Sequence, residues 1–350
     1  MREQDDIIFM KRCLELAAKA EGMTYPNPLA GSVIVHNGTI AGEGYHIKAG
    51  GPHAEVIAIN SVGDKRNLRT SSIYVNLEPC SHFGKTPPCT DLIISSRIPR
   101  VVAGAIDTSD KVSGKGLASL RDAGCEVISG VLNEECRYLN RRFFTFHEKR
   151  RPYITLKWAQ SSDGFLDIIR HEGYSVEPNW ITGKPEKVLV HKWRAAEQAI
   201  LIGAGTARSD NPRLNVREWS GNDPIRIILT GSGILPDKLA LNDPPGNCII
   251  FTHYPHKINY KSIDVVELNK EGTAAGQISE YLFKSGIQSL FIEGGLNLLE
   301  HFISTGFWDE ARVFYGKIPF KDGIRAPEIN GEIISQTGFS QSLLKVFVNN

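Results

Sequence analysis

One short motif and two cysteines constrain this chain more than any other feature of its sequence. The motif is His53-Ala54-Glu55, and the cysteines are Cys80, which follows Pro79, and Cys89. Imidazole nitrogen and thiolate sulfur are ligands that Zn²⁺ prefers, and a catalytic zinc site uses three protein ligands and keeps the fourth position for water. The metal lowers the pKa of that water until hydroxide is available near neutral pH. We therefore predict that His53, Cys80 and Cys89 bind Zn²⁺.

Glu55 follows the histidine by two residues and is predicted to be the catalytic acid–base rather than a ligand. A carboxylate beside the activated water takes its proton and returns it to the leaving amine. This set of residues is typical of zinc deaminases, in which hydroxide attacks an amidine-like carbon of a pyrimidine or purine ring. The two cysteines are separated by eight residues, Ser81 to Pro88, whereas the common deaminase pattern is C-x-x-C.

Other interpretations of these residues remain open from the sequence. An asparagine between prolines, such as Asn27, is usually a turn residue, and a loop lysine such as Lys85 is usually a solvated charge. A purely structural zinc site is a further alternative, with His82 as the fourth protein ligand that such sites normally have. Glu55 has no role in a site of that kind.

Composition restricts the class of protein. The chain has 350 residues, enough for two domains, and its 41% hydrophobic and 23% charged content is that of a globular protein. A formal net charge of +1 gives no basic excess for a nucleic-acid backbone, so no nucleic-acid partner is expected. The sequence shows no signal peptide and no membrane-spanning apolar run, and the remaining four cysteines have no paired spacing. We therefore expect a cytoplasmic protein with reduced thiols and no membrane partner.

The order of predicted elements indicates an α/β fold in two parts. A helix, a hairpin around Asn37-Gly38 and then alternating helices and strands predict a three-layer sandwich with helices on both faces of a mixed sheet. His53 and Cys89 are predicted to open helices, and Cys80 to follow a buried strand at 73–77. Residues 143–151 lead to Pro152, where we place the domain boundary. Strands and helices alternate again over 153–315, interrupted by a predicted loop at 165–179.

Two glycine turns mark the second part of the chain. Glu293-Gly294-Gly295 lies between a predicted strand and a predicted helix, and Gly203-Ala204-Gly205 follows another strand. A strand, a glycine pair and a helix N-terminus form a phosphate cradle. The second turn lacks the third glycine of the dinucleotide fingerprint, because Arg208 stands there. Ordinary helix-entry glycines explain both turns equally well.

Several further motifs accompany the zinc motif: Pro26-Asn27-Pro28 with Gly31, Gly44-Tyr45-His46, and the long insert within Glu78 to Cys89. With these motifs, residues 1–148 resemble the deaminase domain of the bifunctional riboflavin-biosynthesis family, a pyrimidine deaminase fused to a reductase. The resemblance implies a cytidine-deaminase-like fold. It also implies that Asn27, His46 and Lys85 contact the pyrimidine or its ribosyl phosphate.

Residues 149–350 resemble the reductase half of the same family, which has a dihydrofolate-reductase-like fold and uses NADPH. The matching segments are Lys157 to Gly164, Trp180-Ile181-Thr182, Arg194-Ala195, Gly205-Thr206, Asp210 to Leu214, Arg217 and Glu293-Gly294-Gly295. By this resemblance the cofactor is contacted by Ala159, Trp180, Thr206, Asp210, Gly294, Gly295, Leu296 and Asn297. The substrate is contacted by Arg194, Leu214, Arg217 and Glu293, and Lys157 and Asp210 are the catalytic polar groups nearest hydride transfer. The chain departs from the family at Glu177-Pro178-Asn179, where the family has Gly-x-Ser, and at Gly231, where it has Ser.

Together the two resemblances imply one bifunctional enzyme of riboflavin biosynthesis, which is also expected to be a homo-oligomer. Its first domain deaminates 2,5-diamino-6-ribosylamino-4(3H)-pyrimidinone 5′-phosphate with Zn²⁺, and its second reduces the ribosyl side chain of the product to ribityl with NADPH. Two alternatives are a nucleic-acid-editing zinc deaminase with an RNA-binding second domain, and a zinc-stabilised binding protein without catalysis. The near-neutral charge and the long insert oppose the former, and Glu55 is unexplained in the latter.

Overall fold

A computed structural model of the chain describes residues 3–81, 87–107, 114–169, 181–243, 245 and 247–349. The chain divides into two compact units, Met1–Arg150 and Arg151–Asn350. The predicted roles of His82, Lys85 and Trp180 fall on residues outside these ranges, as does the departure from the family at Pro178. Within the described ranges, no helix combines the length and the apolar character that crossing a membrane requires.

The first unit is a three-layer sandwich. Its strands are β1 (Gly31–His36), β2 (Thr39–Tyr45), β3 (Ser71–Leu77), β4 (Arg100–Ala105) and β5 (Glu126–Ser129). Its helices are α1 (Glu3–Ala18), α2 (Ala54–Ser61), α3 (Cys89–Ser95), α4 (Lys115–Asp122), α5 (Asn133–Leu139) and α6 (Arg141–Lys149), with a 3₁₀ helix at Lys65–Thr70. The described strands form one sheet in the order β2-β1-β3-β4-β5. Strand β1 runs antiparallel to β2 and β3, and the other pairs are parallel.

Helices cover both faces of this sheet, which is why β3 and β4 are buried along their whole length. On one face, Met10 of α1 and Cys136 of α5 pack in one hydrophobic cluster. On the other face, Ala58 of α2, Ile93 of α3 and Leu120 of α4 form a second cluster. The predicted three-layer sandwich with a mixed sheet is therefore confirmed. Helices α5 and α6 were not predicted.

Helix α1 begins earlier than its sequence pattern suggests. The sequence predicts Asp5 or Asp6 as its cap, but the helix starts at Glu3, so both residues lie inside it. The buried Asp6 carboxylate accepts a hydrogen bond of 2.7 Å from the Tyr74 hydroxyl. It also accepts two hydrogen bonds, of 3.0 and 2.8 Å, from the Arg100 guanidinium. This buried polar group therefore attaches α1 to β3 and β4.

The second unit is built on a larger sheet. Its strands are β6 (Tyr153–Gln160), β7 (Phe165–Asp167), β8 (Ala199–Gly203), β9 (Ile225–Thr230), β10 (Cys248–Thr252), β11 (Asp264–Glu267), β12 (Ser289–Ile292), β13 (Glu310–Gly316), β14 (Ile324–Arg325), β15 (Glu332–Gly338) and β16 (Ser342–Val348). Its helices are α7 (Lys184–Ala196), α8 (Ala204–Ser209), α9 (Ala274–Lys284) and α10 (Leu296–Ser304), with 3₁₀ helices at Ala240–Asn242 and Pro255–Lys257.

Among the described residues the main sheet has nine strands, in the order β11-β10-β9-β8-β12-β6-β13-β16-β15. It is parallel from β11 to β13, and β16 and β15 add an antiparallel edge. Helices α9 and α10 pack against one face through Ile278 and Leu299, and α7 packs against the other through Val190. Part of the predicted loop at 165–179 is instead a short strand, because β7 pairs with β14.

Candidate functional site

The structure brings the three predicted zinc ligands together beyond the carboxyl end of β3, the central strand of the first sheet. His53 is the residue before α2, Cys80 follows β3, and Cys89 opens α3. Their ligand atoms all lie within 4.8 Å of one another. The carboxyl end of β3 and the N-termini of α2 and α3 therefore lie close together, and each of them carries one of the three ligands.

The donor set fits a zinc ion. The His53 Nδ1 atom lies 3.3 Å from Cys89 Sγ and 3.5 Å from Cys80 Sγ. Zinc bonds of about 2.0 Å to nitrogen and 2.3 Å to sulfur place tetrahedral ligands about 3.6 Å apart. Hydrogen bonds from the Cys89 thiol, from His53 and from the Cys89 N–H hold the pKa of Cys80 well below its ordinary value, against the effect of burial. A thiolate is the form that a metal binds.

Glu55 lies beside this cluster in the first turn of α2 and is 4% exposed. Burial, and secondarily the charge of Cys80, raises the pKa of the Glu55 carboxyl above its ordinary value. A carboxyl group whose pKa is raised towards neutrality is suited to both accepting and returning a proton.

His46 and Asn27 form a hydrogen-bonded pair in the same unit. His46 Nδ1 lies 3.0 Å from the Pro52 carbonyl oxygen, which only accepts, so Nδ1 carries the proton. Nε2 therefore accepts a hydrogen bond of 3.0 Å from the amide nitrogen of Asn27. Burial lowers the pKa of His46, which keeps the ring neutral. Both ring nitrogens have protein partners, so a substrate contact by His46 requires one of these bonds to break.

Glu78 is a buried residue at the start of the long insert motif, and the sequence predicts no role for it. Its carboxylate accepts hydrogen bonds from four backbone N–H groups, at distances of 2.8 to 3.3 Å. The donors are Asp107, Gly114, Gly116 and Leu117. Its place two residues before Cys80 is the sequence signal that it belongs to the site.

In the second unit, Glu293 and Arg194 form a bidentate ion pair at the end of β12. The two hydrogen bonds measure 2.6 and 2.7 Å, and both side chains are about nine-tenths buried. Lys157, in the middle of β6, faces this pair, and burial lowers the pKa of its ammonium group while Glu293 opposes that effect. Although burial acts to raise it, Arg194 and Lys157 hold the pKa of Glu293 below its ordinary value.

His191 and Asn215 connect Arg194 to Arg217, and neither connecting residue was predicted. The buried His191 ring accepts, at Nδ1, a hydrogen bond of 3.0 Å from the Arg217 backbone N–H. The backbone carbonyl of Asn215 accepts a hydrogen bond of 3.2 Å from the Arg194 guanidinium. The side-chain Oδ1 of Asn215 accepts another hydrogen bond from the Arg217 guanidinium. Burial, then Arg194 and Arg217, lowers the pKa of His191 to about 4, so the ring is neutral at pH 7. The signal in the sequence is the spacing of His191 and Arg194, which places them on one helix face.

The two predicted glycine turns lie side by side at the carboxyl ends of β8 and β12. The Gly203 N–H donates to the Gly294 carbonyl at 3.0 Å. The Gly295 N–H donates to the Thr206 hydroxyl at 2.9 Å, and Leu296 and Asn297 open α10 directly afterwards. The carboxyl ends of parallel strands and a helix N-terminus favour phosphate binding, so these residues fit the diphosphate of a nucleotide cofactor.

Three further predicted site residues of the second unit are Ala159, Asp210 and Leu214. Ala159 is two residues after Lys157 in β6, on the same face of the strand. Asp210 is exposed at the end of α8, and within the described ranges it forms no hydrogen bond or ion pair with Lys157 or Arg194. The Leu214 side chain is 2% exposed and packs in the core, which leaves its backbone for contact with a ligand. A side-chain carbon at Gly231 would meet nothing within 4 Å, so the missing serine is not excluded by space.

Two family profiles match the chain. The profile of the cytidine and deoxycytidylate deaminase zinc-binding region matches residues 3–105. The profile of the RibD C-terminal domain matches residues 152–319. The two matches fall in the two units of the structure.

The chain is similar over most of its length to riboflavin biosynthesis proteins RibD. It is 41% identical to the protein of Aquifex aeolicus over 341 residues, which cover 96% of this chain and 90% of that relative. It is 35% identical to the Bacillus amyloliquefaciens protein, over 93% of this chain and 88% of that relative.

Two solved structures resemble the whole chain. The crystal structure of a diaminohydroxyphosphoribosylaminopyrimidine deaminase/5-amino-6-(5-phosphoribosylamino)uracil reductase from Thermotoga maritima matches with a TM-score of 0.89 at 35% identity, covering 99% of both chains. RibD of Acinetobacter baumannii matches with a TM-score of 0.88 at 29% identity, again over 99% of both chains.

Proposed function

Since the chain belongs to the RibD family of riboflavin biosynthesis, whose members join a zinc-dependent deaminase to an NADPH-dependent reductase, we propose specific residues for both reactions. The observation that carries the proposal is the cluster of His53, Cys80 and Cys89 beside the buried carboxyl of Glu55. The proposed substrate of the first unit is the diaminopyrimidine ribosyl phosphate, and its deaminated product is the substrate of the second.

In the first unit, His53, Cys80 and Cys89 would hold the zinc ion, which supplies Lewis-acid activation of water. The Glu55 carboxylate accepts a proton from that water and returns it to the departing amine. Its burial keeps bulk water from competing for the proton. Asn27 donates its amide N–H to His46, so its carbonyl oxygen is oriented to accept a hydrogen bond from an amino or hydroxyl group of the substrate.

In the second unit, NADPH would bind over the paired glycine turns formed by Gly203, Gly294 and Gly295 with Thr206, and it supplies the hydride. Arg194 and Arg217 bind the substrate phosphate, because a guanidinium pairs well with phosphate oxygens. Glu293 holds Arg194 in place, and Lys157 donates a proton near the reduced carbon. Burial lowers the pKa of Lys157 and makes that donation easier.

Several finer statements belong to the same proposal. We assign residues 1–148 to the deaminase domain and 149–350 to the reductase domain. We also propose a homo-oligomer without a nucleic-acid partner; the net charge of +1, which gives no basic excess, supports the absence of a nucleic-acid partner. A cytoplasmic location is consistent with the six cysteines, all of which are free thiols.

Glu55→Gln tests the deaminase assignment. The amide cannot accept the proton, so we expect ammonia release to fall by at least about a hundredfold. Oxidation of NADPH with the deaminated substrate is expected to stay unchanged. Both rates are measured on one preparation, with zinc content determined on the same sample.

Glu134→Gln is the matched control, because this exposed glutamate lies in α5 and makes the same chemical change away from the cluster. It should leave both rates at the wild-type level. Ammonia release that survives in Glu55→Gln would refute the role given to Glu55.

A further inference from the structure

The buried carboxylate of Glu78 occupies a position between the zinc cluster and helix α4. It is 4% exposed and lies two residues before Cys80. Oε1 accepts hydrogen bonds from Gly116 and Leu117, at 2.8 and 3.3 Å. Oε2 accepts hydrogen bonds from Gly114 and Asp107, at 2.9 and 3.3 Å. Four N–H donors fix both oxygens, so the side chain has one orientation.

The backbone around Glu78 is fixed as firmly as the side chain. The Glu78 N–H donates to the carbonyl of Ala105 at 2.9 Å, which ties it to the end of β4. Gly116 of α4 approaches the next peptide so closely that an added side-chain carbon would lie 2.1 Å from the Pro79 carbonyl oxygen. Helix α4 therefore packs tightly against the Glu78–Pro79 segment, which directly precedes Cys80.

The other side of Cys80 is held by α3. The Thr90 N–H donates to the Cys80 carbonyl at 3.2 Å, and the Cys89 N–H points at Cys80 Sγ at 3.3 Å. Cys80 thus sits between α3, which also carries Cys89, and the Glu78–Pro79 segment, which is fixed to α4. Without the Glu78 hydrogen bonds, the Glu78–Pro79 segment would no longer be attached to α4 and would hold Cys80 less firmly.

We propose that Glu78 is a positioning residue that sets the place of the Cys80 sulfur and thereby slows the loss of zinc from the site. Neither Glu78 oxygen is needed for the chemistry of deamination. Residues that orient metal ligands commonly change metal affinity by about ten- to a hundredfold when they are replaced. The inference rests on the proposed zinc ligands and not on the proposed substrate.

The test measures zinc release from the full-length protein into excess chromogenic chelator. In Glu78→Gln an amide NH₂ replaces one carboxylate oxygen and faces two N–H donors, so two hydrogen bonds are lost. We expect zinc release at least about tenfold faster than in the wild type. NADPH oxidation on the deaminated substrate should be unchanged, because the second unit is untouched.

Leu120→Ala is the matched control, since it weakens the packing of the same helix in the core and leaves every Glu78 bond in place. It should lower the unfolding midpoint of the first unit without speeding zinc release. Gly116→Ala is a second test variant, because its methyl group must displace the Pro79 carbonyl, and it should speed zinc release.

Unchanged zinc release in Glu78→Gln and Gly116→Ala would overturn the proposal. So would equally fast release in Leu120→Ala, because general destabilisation would then explain the effect. A wild-type protein that retains zinc but releases no ammonia would refute the proposed function and leave this inference standing.

Discussion

The buried His191 ring holds the backbone of Arg217, the residue that we propose binds the substrate phosphate. Its Nδ1 accepts the backbone N–H of Arg217, and it stands one helical turn before Arg194. His191→Leu removes the acceptor of the Arg217 backbone N–H, a hydrogen bond worth on the order of 1 kcal/mol. We expect the KM of the reductase for its phosphorylated substrate to rise about tenfold, with a smaller change in kcat, because binding rather than hydride transfer is affected. Steady-state NADPH oxidation at varied substrate concentration measures both constants.

A substrate without the 5′-phosphate provides the control for His191→Leu, because Arg217 would then have no phosphate to bind. With the substrate lacking its 5′-phosphate, wild type and His191→Leu should have similar KM values, and ammonia release by the first unit should not differ. A fall in kcat at unchanged KM would contradict a positioning role.

Residues differ in how far the sequence reveals them. His53, Cys80 and Cys89 were predicted because their ligand chemistry and a short spacing are both visible in the chain. Glu78 was overlooked because its partners lie 29 to 39 residues away, and His191 because its partner lies 26 residues away. A hydrogen bond of that range exists only once the fold has formed. The two occupied nitrogens of His46 were hidden for the same reason.

At the scale of elements, a buried ion pair strengthens the attachment of α1 to the first sheet. Burial acts to raise the pKa of Asp6, but hydrogen bonds from Arg100 and Tyr74 outweigh it and lower that pKa. Stability from this group is therefore fully present above the unfolded value of about 3.9, and is lost as pH falls below it towards the folded value. We predict that Asp6→Asn destabilises the first unit by about 3 kcal/mol at pH 7 and flattens its acid dependence below about pH 4.

Denaturant unfolding at pH 7 and at about pH 3 measures both effects. All five tryptophans lie in the second unit, so tryptophan fluorescence follows that unit, whereas circular dichroism follows both. The circular-dichroism transition should shift in Asp6→Asn while the fluorescence transition stays in place. An unchanged circular-dichroism transition of Asp6→Asn at pH 7 would show that the ion pair does not stabilise the first unit.

Helix α5 and strand β15 went unpredicted because contacts with distant parts of the chain hold them in place. Helix α5 is held by Cys136, whose sulfur lies so close to Gly104 of β4 that an added side-chain carbon there would be 2.3 Å away. Strand β15 is exposed along its whole length and has adjacent isoleucines at 333 and 334 instead of alternation. It is a strand because it pairs with β16. Such tertiary pairing is not encoded in a local pattern.

At the scale of the whole molecule, each unit has its own sheet and its own hydrophobic clusters. The number of domains followed from the chain length and from the change of motifs near Pro152. The α/β class followed from the alternation of strands and helices, and the identity of the second half needed the family resemblance, because two glycine turns alone are ambiguous. The profile matches and the full-length relatives resolve that ambiguity.

We infer that one chain carries both reactions, each at a site in its own unit. The most direct test supplies the diaminopyrimidine ribosyl phosphate and NADPH to the purified protein, and follows ammonia release, NADPH oxidation and zinc content on the same sample. We predict both activities with about one zinc per chain, as a three-ligand catalytic site requires. Zinc-loaded protein that releases ammonia but leaves NADPH unoxidised, or that does neither, would show that this chain does not carry both reactions.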